Sequence, residues 1–139
     1  MERDDIDLFE QFVRVYRRLR LFADSGYILV VEGKRDKDAL EKLGIMGHYI
    51  YASRLLVNIR QDPELWRDRK FVLLVDYDSY GWRLFKNLRR EIQRLGGVFD
   101  ESVRSQLHGF RGFPEEVEAF PKWLYRNLSR KELEVINSI

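Results

Sequence analysis

Three carboxylates stand where they could do chemistry together. Val30-Val31-Glu32-Gly33-Lys34-Arg35-Asp36 and Leu74-Val75-Asp76-Tyr77-Asp78-Ser79-Tyr80-Gly81 each leave a short apolar run and enter acidic residues. In an open parallel sheet, ligands bind beyond the carboxyl ends of the strands, so Glu32, Asp76 and Asp78 fall on one functional edge. If the two strands are neighbours, about 4.8 Å apart, the three groups can converge on one ion. Clustered carboxylates repel one another and favour a bound cation. The chain has no cysteine and only His48 and His108, so the donors are hard oxygens. That set points to magnesium, with manganese as the second choice, held by carboxylates, water and substrate phosphate.

The neighbouring residues suit a phosphate. Gly33 lets the chain turn after the first strand and lets a phosphate approach the backbone, and Gly81 offers the same after the paired aspartates. Lys34 and Arg35 add positive charge beside Glu32. A helix starting after Asp78 would turn its free N–H groups toward the same place. A lone D-x-D is common, however, and an aspartate after a strand is often only a helix cap. The weight lies in the agreement of two short motifs across one βα crossover region.

The elements that must position these groups follow from periodicity. Tyr27–Val31 and Phe71–Val75 are short, apolar and β-branched, as buried parallel strands are. Leu84, Phe85, Leu88, Ile92 and Leu95 recur at helical spacing, and Gly96-Gly97 stops that helix. Asp36 can cap a helix carrying Ala39, Leu40 and Leu43, ended by Gly44. His48–Ala52 and Val98-Phe99 are weaker strand candidates, and Ser53–Trp66 is part helix, broken near Asp62-Pro63. An N-terminal helix, about residues 5–23, places Phe9, Phe12, Val13, Tyr16 and Leu19 on one face. Residues 115–136 form one or two helices with Val117, Phe120, Trp123, Leu124 and Leu128 inward. Alternating strands and helices predict a Rossmann-like α/β fold: a mainly parallel central sheet with helices on both faces.

The chain of 139 residues, 45% hydrophobic and 35% charged, fits one globular domain spanning residues 1–139. No apolar run nears the roughly 20 residues that span a bilayer, and the acidic start, Met1 to Asp7, is no secretory signal. A cytoplasmic protein is expected, without membrane contact. A net charge of +2 is too small to identify a nucleic-acid binder by itself.

Ile28–Leu43 and Leu73–Leu95, with Val31-Glu32-Gly33-Lys34 and Asp76-x-Asp78-x-x-Gly81, resemble the TOPRIM domain of bacterial-type primases, topoisomerases and small ribosomal-RNA maturases. The length and the segment 97–118 are most similar to the stand-alone archaeal members. The resemblance implies a TOPRIM core over residues 27–99, magnesium dependence and phosphodiester chemistry. It further implies Glu32 as general acid/base or metal ligand, and Asp76 and Asp78 as metal ligands. Trp82 stands where some members have an acidic residue. No domain supplies a nucleophilic tyrosine, and no zinc-binding or helicase-contacting module is present, so strand passage and priming are not expected of this polypeptide alone.

The leading expectation is a magnesium-dependent nuclease or other phosphodiester-acting enzyme on RNA or DNA. The alternative is a non-catalytic nucleic-acid-binding or regulatory subunit with a protein partner or a second copy of itself. Haloacid-dehalogenase-type phosphatases put their aspartate pair on the first strand, and D-x-D glycosyltransferases are usually longer; both fit poorly. Arg83, Lys86, Arg90 and Arg94 read first as a solvated helix face, and second as a phosphate track. Tyr77 and Tyr80 could stack on a base or pack on the sheet edge. His48, His108, Trp66, Trp82 and Trp123 default to packing.

Overall fold

The computed structural model describes residues 2–139, with side chains from Leu8 onward. Four short strands, β1 (Ile28–Val31), β2 (His48–Tyr51), β3 (Lys70–Leu73) and β4 (Val98–Asp100), form one sheet in the order β2-β1-β3-β4. Every pairing is parallel, with Val30 opposite Leu73 between the central strands. Eight α-helices surround it: α1 (Glu2–Asp24), α2 (Lys34–Lys42), α3 (Ala52–Gln61), α4 (Pro63–Trp66), α5 (Ser79–Arg94), α6 (Ser102–His108), α7 (Phe120–Asn127) and α8 (Arg130–Asn137). A 3-10 turn, Val117–Ala119, precedes α7. The architecture is therefore a small parallel sheet flanked by many helices, a Rossmann-like α/β arrangement. No helix among the described residues is long and apolar enough to cross a membrane.

The two-residue repeat of a strand explains how both sheet faces are filled. Leu29, Val31, Val72 and Leu74 point into one core with Phe12, Tyr16, Leu19, Leu40, Val117, Phe120, Trp123 and Leu124. Ile28, Val30, Phe71, Leu73 and Val75 point into the other, with Leu55, Ile59, Leu84, Phe85, Leu88 and Ile92 from α3 and α5. Strands buried on both faces need apolar side chains throughout, which is why β1 reads as an unbroken apolar run.

The connection from β1 to β2 goes one way along the sheet, and the path from β2 through β3 to β4 goes the other. The reversal lies between β1 and β3, a topological switch point, the place beyond the carboxyl ends where open α/β sheets bind their ligands. The ladder runs on there, Leu74 N–H donating to the Val30 carbonyl at 2.8 Å. Glu32 and Asp76 follow directly.

One local expectation needs correction. Asp36 does not cap α2; Gly33 does, and Asp36 sits three residues on, its Oδ2 accepting the Gly33 N–H at 3.1 Å. The acid three residues into the helix holds the N–H at the cap position, where no helical carbonyl is available. Helix α6 is an addition, since no apolar period announces it.

Candidate functional site

Glu32 and Asp76 meet at the switch point. The Asp76 N–H donates to Glu32 Oε2 at 2.6 Å, tying the ends of β1 and β3 together. Asp76 Oδ1 accepts the Val117 N–H at 2.9 Å, and Tyr77 N–H donates to the Glu115 carbonyl at 2.8 Å. The segment before α7 is thereby bound to the strand end. Asp78 turns to α5 as its N-cap, Oδ1 accepting from Gly81 N–H at 2.8 Å.

The electrostatics show how crowded the edge is. Burial pushes the Asp76 carboxyl up to about 7, and the charges of Glu32, Asp36 and Asp78 add to the rise against the Val117 hydrogen bond. Burial likewise raises Glu32, with Asp78 and Asp36 adding and the Asp76 N–H opposing. Asp36, almost fully buried, is raised by burial and by Glu118. Burial and mutual repulsion thus raise all three carboxyls, the effect that a nearby cation would reverse.

Sequence-predicted residues divide accordingly. Glu32 and Asp76 come together; Asp78 acts on them through its charge while serving as a cap. Among the described residues no three acidic or histidine side chains form a ready cage for a metal ion. The donors are all oxygens, and the excess negative charge is what a divalent cation relieves, so the chemistry fits magnesium with water and phosphate completing its shell. Lys34 and Arg35 are exposed at the start of α2, and the space beside Gly33 is open. Gly81 is different: a Cβ there would lie 1.9 Å from the Asp76 carbonyl oxygen. Its lack of a side chain seats α5 against the strand end, and its N–H is already engaged by Asp78.

Arg104 of α6 belongs to the site and has no sequence signal. Its buried guanidinium donates from Nε to the Val75 carbonyl at 2.8 Å and from Nη2 to the Asp76 carbonyl at 2.9 Å. The Tyr77 and Phe85 rings pack on it, with centroids at 4.5 and 4.7 Å. Tyr77 also stacks on His108 at 4.1 Å, so this ring is engaged in packing. Burial and the Arg104 charge hold His108 down to about 4, a neutral packing residue beside Phe113 and Phe120. Asp36, read as a cap, is the other acid that sequence reasoning undervalued.

No family model matches the chain. A UPF0292 protein of Methanocaldococcus jannaschii is 34% identical over 109 residues, covering 77% of this chain and 82% of the relative. A UPF0292 protein of Pyrococcus furiosus is also 34% identical, covering 71% and 72%. The chain belongs to the UPF0292 family. A further member from Archaeoglobus fulgidus is 23% identical over 71% of this chain and 77% of its own. This corrects the assignment to the stand-alone archaeal TOPRIM proteins: the relatives carry the UPF0292 name, and the motifs behind that assignment are short ones on a fold shared by unrelated functions. A solved structure of a protein from Aquifex aeolicus superposes with a TM-score of 0.60 at 23% identity, covering 76% of this chain and 94% of that one; it speaks to the fold alone.

Proposed function

We propose that this UPF0292 protein binds magnesium, or manganese, at Glu32, Asp76 and Asp78 and acts on a phosphodiester of RNA or DNA in the cytoplasm. The observation that carries this is the carboxyl pair at the switch point. Asp76 is driven up to about 7 largely by burial, with three neighbouring carboxylates adding to it. Such a group is poised to exchange a proton for a cation, and perturbed acids in a crevice mark functional sites. When bound, the metal supplies charge neutralisation at a phosphate oxygen. Glu32, oriented by the Asp76 N–H and raised by burial, is the group that takes or returns a proton. Lys34 and Arg35 hold the phosphate from the α2 side, next to the open space at Gly33.

Incubation of the purified protein with labelled single- and double-stranded RNA and DNA, with magnesium or EDTA, tests this. Metal-dependent cleavage lost in Glu32→Gln is the expected result. Cleavage that persists in the Asp76→Asn, Asp78→Asn double variant refutes it. The second reading, a non-catalytic nucleic-acid-binding or regulatory subunit, draws on the missing three-ligand cage among the described residues. It predicts salt-sensitive binding without turnover under the same conditions.

A further inference from the structure

We infer that the cleft between α2 and α7, beside the carboxyl pair, is a track for single-stranded nucleic acid. This rests on the phosphodiester reading above and extends it to the form of the substrate. The cleft has a volume of about 670 Å³ and is walled by Arg35, Asp38 and Lys42 of α2, and by Lys122 and Tyr125 of α7 with Glu118 just before it. Each wall repeats at helical spacing, so these side chains lie in rows facing one another. Arg35 and Lys42 stand two turns apart, about 10 Å along the helix.

Charge and exposure select the occupant. Arg35, Lys42 and Lys122 are exposed, and none forms an ion pair among the described residues. Tyr125 is 74% exposed, a large ring with nothing covering it. Cations along a groove with an exposed aromatic are what a single strand uses, phosphates on the former and a base on the latter. Glu118 is the acid at the site end, next to Asp36, where a divalent cation would offset it. With Asp38 it makes two carboxylates in the lining, against the three cations Arg35, Lys42 and Lys122. A single strand, unlike a duplex, leaves its bases free to stack on the exposed Tyr125 ring.

Fluorescence anisotropy with labelled oligouridine, oligothymidine and an RNA duplex, in EDTA and in magnesium, tests the track, with polyglutamate as competitor. Single strands are expected to bind with a salt slope near −2, about 0.7 per contacted phosphate. Lys42→Ala and Lys122→Ala should each flatten the slope by about 0.7, and Tyr125→Ala should weaken binding by about 5- to 100-fold. All three positions are exposed, so the variants should fold like the parent. Calorimetric magnesium affinity without nucleic acid should be unchanged in them. Duplex bound as tightly as single strand, variants binding like the parent, polyglutamate competing at equal charge, or no binding to any strand would each overturn the inference. Failure of the metal-site reading appears separately, as magnesium affinity unaffected by Asp76→Asn.

Discussion

Asp76→Asn should make the metal-free protein more stable at alkaline pH while removing cation binding. The aspartate is held at about 7 against an ordinary 3.8, first by burial. Between those values the native protein keeps a proton that the unfolded chain has released, so stability falls as pH rises through that window. The penalty is absent below about pH 4 and complete above about pH 7. At about 1.4 kcal/mol per pH unit the displacement corresponds to roughly 4 kcal/mol, and screening of this half-exposed group reduces it to about 1–2 kcal/mol. Asparagine imitates the protonated acid. Its Oδ1 still accepts the Val117 N–H, and its amide can donate to Glu32.

Thermal melts of both proteins in EDTA, from about pH 4 to about pH 8, give the comparison. At the alkaline end the variant should melt about 3–8 °C higher, from 1–2 kcal/mol at this chain length, and the gap should close at the acid end. His108 works in the opposite sense: held down to about 4, it adds stability as pH rises toward 6.5. That contribution is common to both proteins and cancels in the difference. Added magnesium should then raise the melting temperature of the parent alone, if the proposed site is the one that binds it. A variant less stable than the parent at about pH 8, or a gap that does not narrow on acidification, would refute the reasoning.

Gly81→Ala forces a Cβ onto the Asp76 carbonyl and should cost about 3 kcal/mol or more in urea unfolding, whereas Gly33→Ala, with extended backbone and open space, should stay within about 1 kcal/mol. Arg104→Met strands the buried Val75 carbonyl and loosens Asp76; a loss of about 2–4 kcal/mol is expected, with Arg104→Lys restoring less than half because it lacks the planar fork. Magnesium binding near neutral pH should release protons, so calorimetric enthalpies should change with the ionisation enthalpy of the buffer. Arg83→Ala and Arg90→Ala, on the solvated face of α5, should each move stability by less than about 0.5 kcal/mol.

Much of the sheet is legible because both faces of its central strands are buried, leaving no polar residue to interrupt Tyr27–Val31 or Phe71–Val75. The α5 face is equally clear, since Leu84, Phe85, Leu88, Ile92 and Leu95 are all buried on one side. From strand ends alone Glu32 and Asp76 can be placed at one edge, and the β1–β3 pairing puts them side by side. Asp78 shows the limit: the same D-x-D that suggests a metal ligand also supplies an N-cap, and only the structure shows that one of its oxygens accepts the Gly81 N–H. Gly81 resembles a phosphate-turn glycine in sequence, but the constraint on it is contact with a carbonyl far from any local pattern. α6 has only seven residues, too few to display a helical period, so Arg104 carries no sign that its charge is spent on the ends of β3.

The arrangement at the switch point also explains why α6 and the turn before α7 belong to the site. Four carboxylates, Glu32, Asp36, Asp76 and Asp78, influence one another across the ends of two strands, and repulsion alone would splay those ends. Backbone N–H groups from Asp76, Gly33, Val117 and Gly81 each hold one of them. Arg104 adds a cation that reaches the strand end through the Val75 and Asp76 carbonyls and not through the carboxyl groups. A purely structural solution would pair such acids with side-chain cations, yet none of the four forms a salt bridge among the described residues. Charge left uncompensated at a crevice is stability forgone in the metal-free protein, and the proposed divalent cation is the partner that would recover it.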